Sequence, residues 1–186
     1  MPDASPLGRW DAHPALFRRR PPRIWALTGL LALAWGAQAL GYSGPVRGII
    51  TFVADGDTVY VRLQGQTEQT AVRILGIDAP EICQDGGLAA RQALQALLQD
   101  QVVDLHIERQ DDYGRQLALI HWQGRDVGRW MVQQGLAWSY RHGRDPGPYL
   151  PEQQAARWAG LGLFAQPSPL PPAVFRRQHG SCKHAP

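Results

Sequence analysis

VRGIITFVADGDTVYVRLQGQTEQTAVRILGI, residues 46–77, holds three apolar runs rich in Val, Ile and Thr, with polar turns between them. The runs are Val46–Val53, Thr58–Leu63 and Thr70–Ile77. In the second, Val59, Val61 and Leu63 alternate with Tyr60 and Arg62, the period-two pattern of a strand with one buried face. Gln64-Gly65-Gln66 reads as a hairpin turn into the third run. The stretch predicts a three-stranded meander.

Downstream the period changes. Apolar residues at positions 90, 93, 94, 97 and 98 follow helical spacing after Gly86-Gly87, which predicts a helix over Leu88–Leu98. Val102–Ile107 and Gln116–Trp122 are strand-like again, joined by the turn Gln110 to Gly114. Helices are expected over Val127–Gln134, stopping at Gly135, and over Leu150–Ala159. Five strands with a helix after the third predict an α+β, mainly β, domain: a five-stranded OB-type Greek-key barrel with three helices, spanning 46–165. Residues 166–186 read as a proline-rich tail, with Pro167–Pro172 extended over the surface.

Upstream, Arg18-Arg19-Arg20-Pro21-Pro22-Arg23 precedes the apolar run Ile24 to Trp35, and Ala37-Gln38-Ala39 offers a small-x-small cleavage site. Residues 1–39 thus read as a signal peptide, followed by a linker at 40–45. An uncleaved membrane anchor is the alternative, because residues 24–42 approach the roughly 20 needed to span a bilayer. Both readings place the body outside the cytoplasm, periplasmic or secreted, or tethered to the inner membrane.

That segment also explains the charge. The pI of about 9.2 suggests a polyanion partner. Removing Arg9, Arg18, Arg19, Arg20, Arg23, Asp3 and Asp11 from totals of 19 basic and 16 acidic residues leaves 14 of each sign in 40–186. A strongly positive binding face is therefore excluded, and nucleic-acid contact must rest on a few placed arginines. An exported body also favours pairing of the two cysteines, Cys83 and Cys182. The bridge would tie the tail to the loop after Glu81, closing about 100 residues, for up to about 4.7 kcal/mol in the chain-entropy treatment.

Three polar motifs lie at strand ends: Asp55-Gly56-Asp57-Thr58, Arg73 through Asp78-Ala79-Pro80-Glu81, and Asp112-Tyr113-Gly114-Arg115. Singly, each is an ordinary turn. Together, on one barrel rim, they supply two aspartates for a hard cation, one further carboxylate and two guanidiniums. Glu81 is placed to hold or deprotonate an attacking water. Arg73, on the same strand as Asp78, and Arg115 suit a phosphorane whose charge exceeds that of a ground-state diester. The combination implies hydrolysis of a phosphodiester.

The motifs Ala54 to Val59, Arg73 to Glu81 and Asp112 to Arg115 resemble the signatures of the thermonuclease, or staphylococcal-nuclease-like, family. Gln133 to Trp138 with Tyr140, and the helix near Glu152 leading to Gly162-Leu163-Phe164, are similar to its later segments. The resemblance implies that Asp57, Asp78 and the backbone carbonyl of Ala79 bind Ca2+. It implies Glu81 as general base or water-positioning group, Arg73 and Arg115 as transition-state stabilisers, and Tyr113 and Tyr140 as nucleotide contacts. The expected activity is calcium-dependent cleavage of DNA and RNA with little sequence preference, by a monomer. A non-catalytic OB module that binds nucleic acid or protein is the rival; retention of all five polar site residues argues against it. Asp112 stands where the family commonly has a basic residue, which with Asp111 would weaken polyanion affinity. Trp122, Trp130, Trp138 and Trp158 read as packing residues, and Arg141, His142 and Arg144 as a local basic patch.

Overall fold

The computed structural model describes residues 44–140 and 142–182. The amino-terminal segment, on which the expected signal peptide or anchor falls, and Arg141 lie outside the described residues. Strand β1, Val46–Val53, pairs antiparallel with β2, Thr58–Leu63, and β2 with β3, Gln69–Ile74. The period-two reading of β2 holds: Val59, Val61 and Leu63 are buried, whereas Tyr60 and Arg62 are exposed.

The third run is not one strand as far as Ile77. It breaks at Leu75-Gly76 and resumes as β4, Ile77–Asp78. Gly76 has φ +79°, and a Cβ there would lie 2.7 Å from Pro148 and 2.8 Å from the Tyr149 ring. Only glycine tolerates both the left-handed backbone and that approach. The kink turns Asp78 back beneath Arg73.

Helix α1, Gly87–Leu98, follows, then β5, Val102–Gln110, and β6, Gln116–Trp122. β5 pairs with both β1 and β6, and β6 runs parallel to β3, closing five strands into a barrel. A two-residue strand β7, Arg125–Asp126, leads into α2, Val127–Gln133, whose first turn is capped by Asp126 accepting from Arg129 N. β8, Trp138–Ser139, pairs with β4. α3, Leu150–Trp158, and a 3₁₀ turn, Gly162–Ala165, complete the expected region. The α+β barrel is as expected. A fourth helix, α4, Pro172–His179, follows the exposed proline segment and was not anticipated.

The barrel interior is apolar: Val59, Val61, Val72, Ile74, Leu105 and Ile120 meet Leu94 and Leu98 of α1 and Met131 of α2. Trp138, Ala156, Leu163 and Phe164 form a second cluster. Trp158, expected to pack, is instead 93 % exposed, on the outward side of α3. Because Leu94 is completely buried, Leu94→Ala is expected to cost about 2–5 kcal/mol through lost transfer energy and the cavity left behind. Urea denaturation measures this.

Candidate active site

The Asp57 loop is shaped by its own motif. The Asp55 carboxylate accepts from Asp57 N at 2.9 Å, an Asx turn that aims the second aspartate inward. Gly56 permits close docking, since a Cβ would meet those of Ala79 and Ala90 at 2.7 and 2.8 Å. Asp57 Oδ1 then accepts from Thr58 Oγ1 at 3.0 Å and Arg73 Nη1 at 2.7 Å, and its Oδ2 from Ala79 N at 3.1 Å. The β2–β3 register sets Arg73 directly opposite Thr58. Arg73 Nη2 donates to Asp78 Oδ1 at 3.2 Å. Two carboxylates from two motifs thus converge on one guanidinium, and Ala79 joins them through its N–H to Asp57.

Glu81 is reached from the other side. Arg176 of α4 donates through Nη1 to Glu81 Oε1 at 2.9 Å and to Asp78 Oδ1 at 3.2 Å, and through Nη2 to Asp78 Oδ2 at 3.3 Å. Cys83 and Cys182 form a disulfide, as expected from their number and setting. It fastens the Glu81 loop to the chain just beyond α4. The buried Gln84 side chain makes a further link, accepting from Glu81 N at 3.2 Å and donating to Leu170 O at 2.6 Å.

Arg115 stands at the start of β6. Asp111 holds it through Oδ1 to its backbone N and Oδ2 to Nε, both at 2.9 Å. Arg115 Nη1 lies 3.5 Å from Thr58 Oγ1, the hydroxyl that itself donates to Asp57. Arg115 is therefore at the edge of the acidic cluster, held by Asp111 through Nε and Nη2, the latter at 2.8 Å. Tyr113 is 85 % exposed, with the Arg115 guanidinium 5.5 Å from its ring centroid. Tyr140 is also exposed, and its N–H is fixed on Gly76 O at 2.8 Å. Both rings are open to a ligand. His142 and Arg144 lie on an exposed loop.

The cluster is short of positive charge. Asp57 and Asp78 are only 4 % and 6 % exposed. Burial raises the Asp78 pKa despite the opposing bonds from Arg176. Asp55 is pushed up to about 7, first by burial and then by the Asp57 charge. Burial works against the Arg73 charge, but Asp57 and Asp78 outweigh it and hold the guanidinium more firmly protonated than usual. Among the described residues, no three His, Cys, Asp or Glu side chains form a ready cage for a metal ion. The donor set nevertheless fits a hard divalent cation: all-oxygen, carboxylate-rich, and with more acids than the neighbouring guanidiniums neutralise.

Sequence reasoning missed three contributors. Thr58 belongs to the first motif, and its hydroxyl links Asp57 to Arg115. Asp111 was read only as a repulsive charge, whereas it positions Arg115; its i,i+4 spacing across the turn was the available signal. Arg176 lay in a tail with no assigned structure; the available signal was the Cys83–Cys182 link, which brings that tail to the Glu81 loop.

A family profile described as "Staphylococcal nuclease homologue" matches residues 71–166. The chain is 35 % identical over 167 residues to a "Micrococcal nuclease" of Shigella flexneri, covering 82 % of this chain and 94 % of that protein. It is 36 % identical over 127 residues to an "Uncharacterized endonuclease" of Haemophilus influenzae, covering 68 % and 70 %. It is 37 % identical over 145 residues to "Protein ParB" of Escherichia coli, covering 72 % and 80 %.

Proposed function

We propose a calcium-assisted hydrolysis for this chain, which belongs to the staphylococcal nuclease homologue family and is a nuclease acting on nucleic acids. The observation that carries the reading is the convergence of Asp57, Asp78 and Arg73 beside Glu81, with Arg115 at the rim. Asp57 and Asp78 would hold Ca2+, with the Ala79 carbonyl as a third ligand. When bound, the ion would supply Lewis-acid polarisation of a phosphoryl oxygen.

The chain's own residues do the rest. Glu81 orients the attacking water and takes its proton. Arg73 and Arg115 bind the phosphate and hold the added charge of the phosphorane. Tyr113 and Tyr140 offer exposed faces for bases, a sequence-tolerant contact that suits both DNA and RNA. Among the described residues no helix is long and apolar enough to cross a membrane. Export, or anchoring through residues 24–42, rests on the basic and apolar pattern of the amino terminus alone. We read the enzyme as a monomer.

Single-stranded DNA incubated with the chain in calcium or in chelator tests the proposal. Cleavage should vanish with chelator and fall by about 10²–10⁴-fold in Glu81→Gln. Binding without cleavage in every sample would make the chain a non-catalytic module. A smaller effect is expected for Asp111→Ala, which leaves Arg115 charged but unguided. Its kcat should drop about tenfold, a loss of about 1.4 kcal/mol in transition-state stabilisation. Combining it with Arg115→Ala should add little, because both act on one guanidinium. Steady-state kinetics on the single and double variants reads this.

A further inference from the structure

We propose that helix α4 is an intramolecular competitor of the divalent cation. Arg176, kept over Asp78 and Glu81 by the Cys83–Cys182 tether, would set the cation concentration at which the site fills. The inference rests on the reading of Asp78 as a cation ligand and deepens it into regulation of the same site.

The geometry is that of competition for shared oxygens. The Arg176 fork engages both oxygens of Asp78 and one of Glu81, at 2.9–3.3 Å. Arg73 shares Asp78 Oδ1. A hard cation bonds through those same oxygen lone pairs, and its charge would repel a guanidinium on the same carboxylate. Cation and Arg176 therefore compete for Asp78, each weakening the other's hold on the same two oxygens.

Helix α4 is also built to let go. Its only buried residue is Pro172. A cavity of about 270 Å³, lined in part by Gln84, Trp138, Leu163, Leu170, Phe175 and His179, lies where a packed helix would bury its side chains. Little apolar burial opposes its release. It is fastened at both ends instead: Gln84 holds Leu170 before it, and the disulfide follows it. Cys83 lies two residues beyond Glu81, so a released Arg176 stays near its acids at high effective concentration. By linkage, the cation must outbid this contact, and its apparent affinity falls by the same factor by which the contact is favoured.

Calcium titration calorimetry on the full oxidised chain tests this. It would compare the parent with Arg176→Ala and with the double variant Cys83→Ser, Cys182→Ser. Arg176→Ala should bind Ca2+ roughly tenfold more tightly, within the usual range of coupling between sites. The double variant should shift in the same direction by less. In the parent, amide hydrogen exchange of α4 should quicken as calcium saturates. Equal affinity in parent and Arg176→Ala, with α4 exchange unmoved by calcium, overturns the gate and leaves the metal reading standing. Weaker calcium binding in Arg176→Ala, or unchanged calcium binding with weaker DNA binding, also overturns it, making Arg176 a support or a phosphate contact. No calcium binding by any form overturns the gate and the metal reading together.

Discussion

Arg115→Ala should lower kcat on single-stranded DNA by about 10³-fold, the usual loss when a preorganised transition-state donor is removed, while leaving folding nearly untouched. The side chain lies on the rim, 28 % exposed, paired with Asp111 rather than packed in the core. A pair this open contributes about 0–1 kcal/mol to stability. In the proposed mechanism its value lies in the reaction: a phosphorane carries more charge than the diester, so a fixed fork would gain strength as the reaction proceeds. The loss should therefore fall on kcat rather than KM. Arg115→Lys should recover little, since an ammonium restores the charge but not the two-pronged geometry. Steady-state kinetics beside urea denaturation measures both sides. Unchanged kcat with raised KM would reduce Arg115 to a ground-state contact.

Arg73→Ala should act on folding as well as chemistry. Its guanidinium bridges Asp57 and Asp78, whose side chains are only 6 % and 8 % exposed. Removing it leaves the buried Asp57 without a guanidinium partner and Asp78 with Arg176 alone, a change that costs about 3–5 kcal/mol. Calcium should restore part of that loss, because a cation bound only by the folded state adds about 2.7 kcal/mol at a hundred times its Kd. Unfolding free energies in calcium and in chelator would show it. The calcium increment should be larger in Arg73→Ala than in the parent, where Arg73 already offsets part of the acids' charge. An equal or smaller increment would mean that the cation does not bind between these two aspartates.

The contrast between the two arginines was not visible in the motifs. Both were read as phosphate ligands at strand ends. The barrel makes one a buried counter-ion opposite Thr58 and leaves the other on the rim in the grip of Asp111. The same holds for β3 and β4. Leu75-Gly76-Ile77 continues an apolar run, so periodicity extends the strand. The break is imposed by Pro148 and Tyr149 packing on Gly76 from a distant loop. The start of α4 was marked by a proline at its first turn, a recognised helix-start signal. The neighbouring prolines concealed it, and its 8 residues are too few to display a helical period.

What the sequence by itself determined is the barrel, its paired cysteines and the inventory of its rim: Asp57, Asp78, Glu81, Arg73 and Arg115. Those follow from local rules, because alternation, helical spacing and turn residues act within a few positions of the chain. Only the tertiary structure decided who faces whom. It brought Asp78 under Arg73 through the Gly76 kink, gave Arg115 its Asp111 anchor, and laid Arg176 across Asp78 and Glu81. Such pairings depend on side-chain distances between segments far apart in the chain, and burial lets them govern charge.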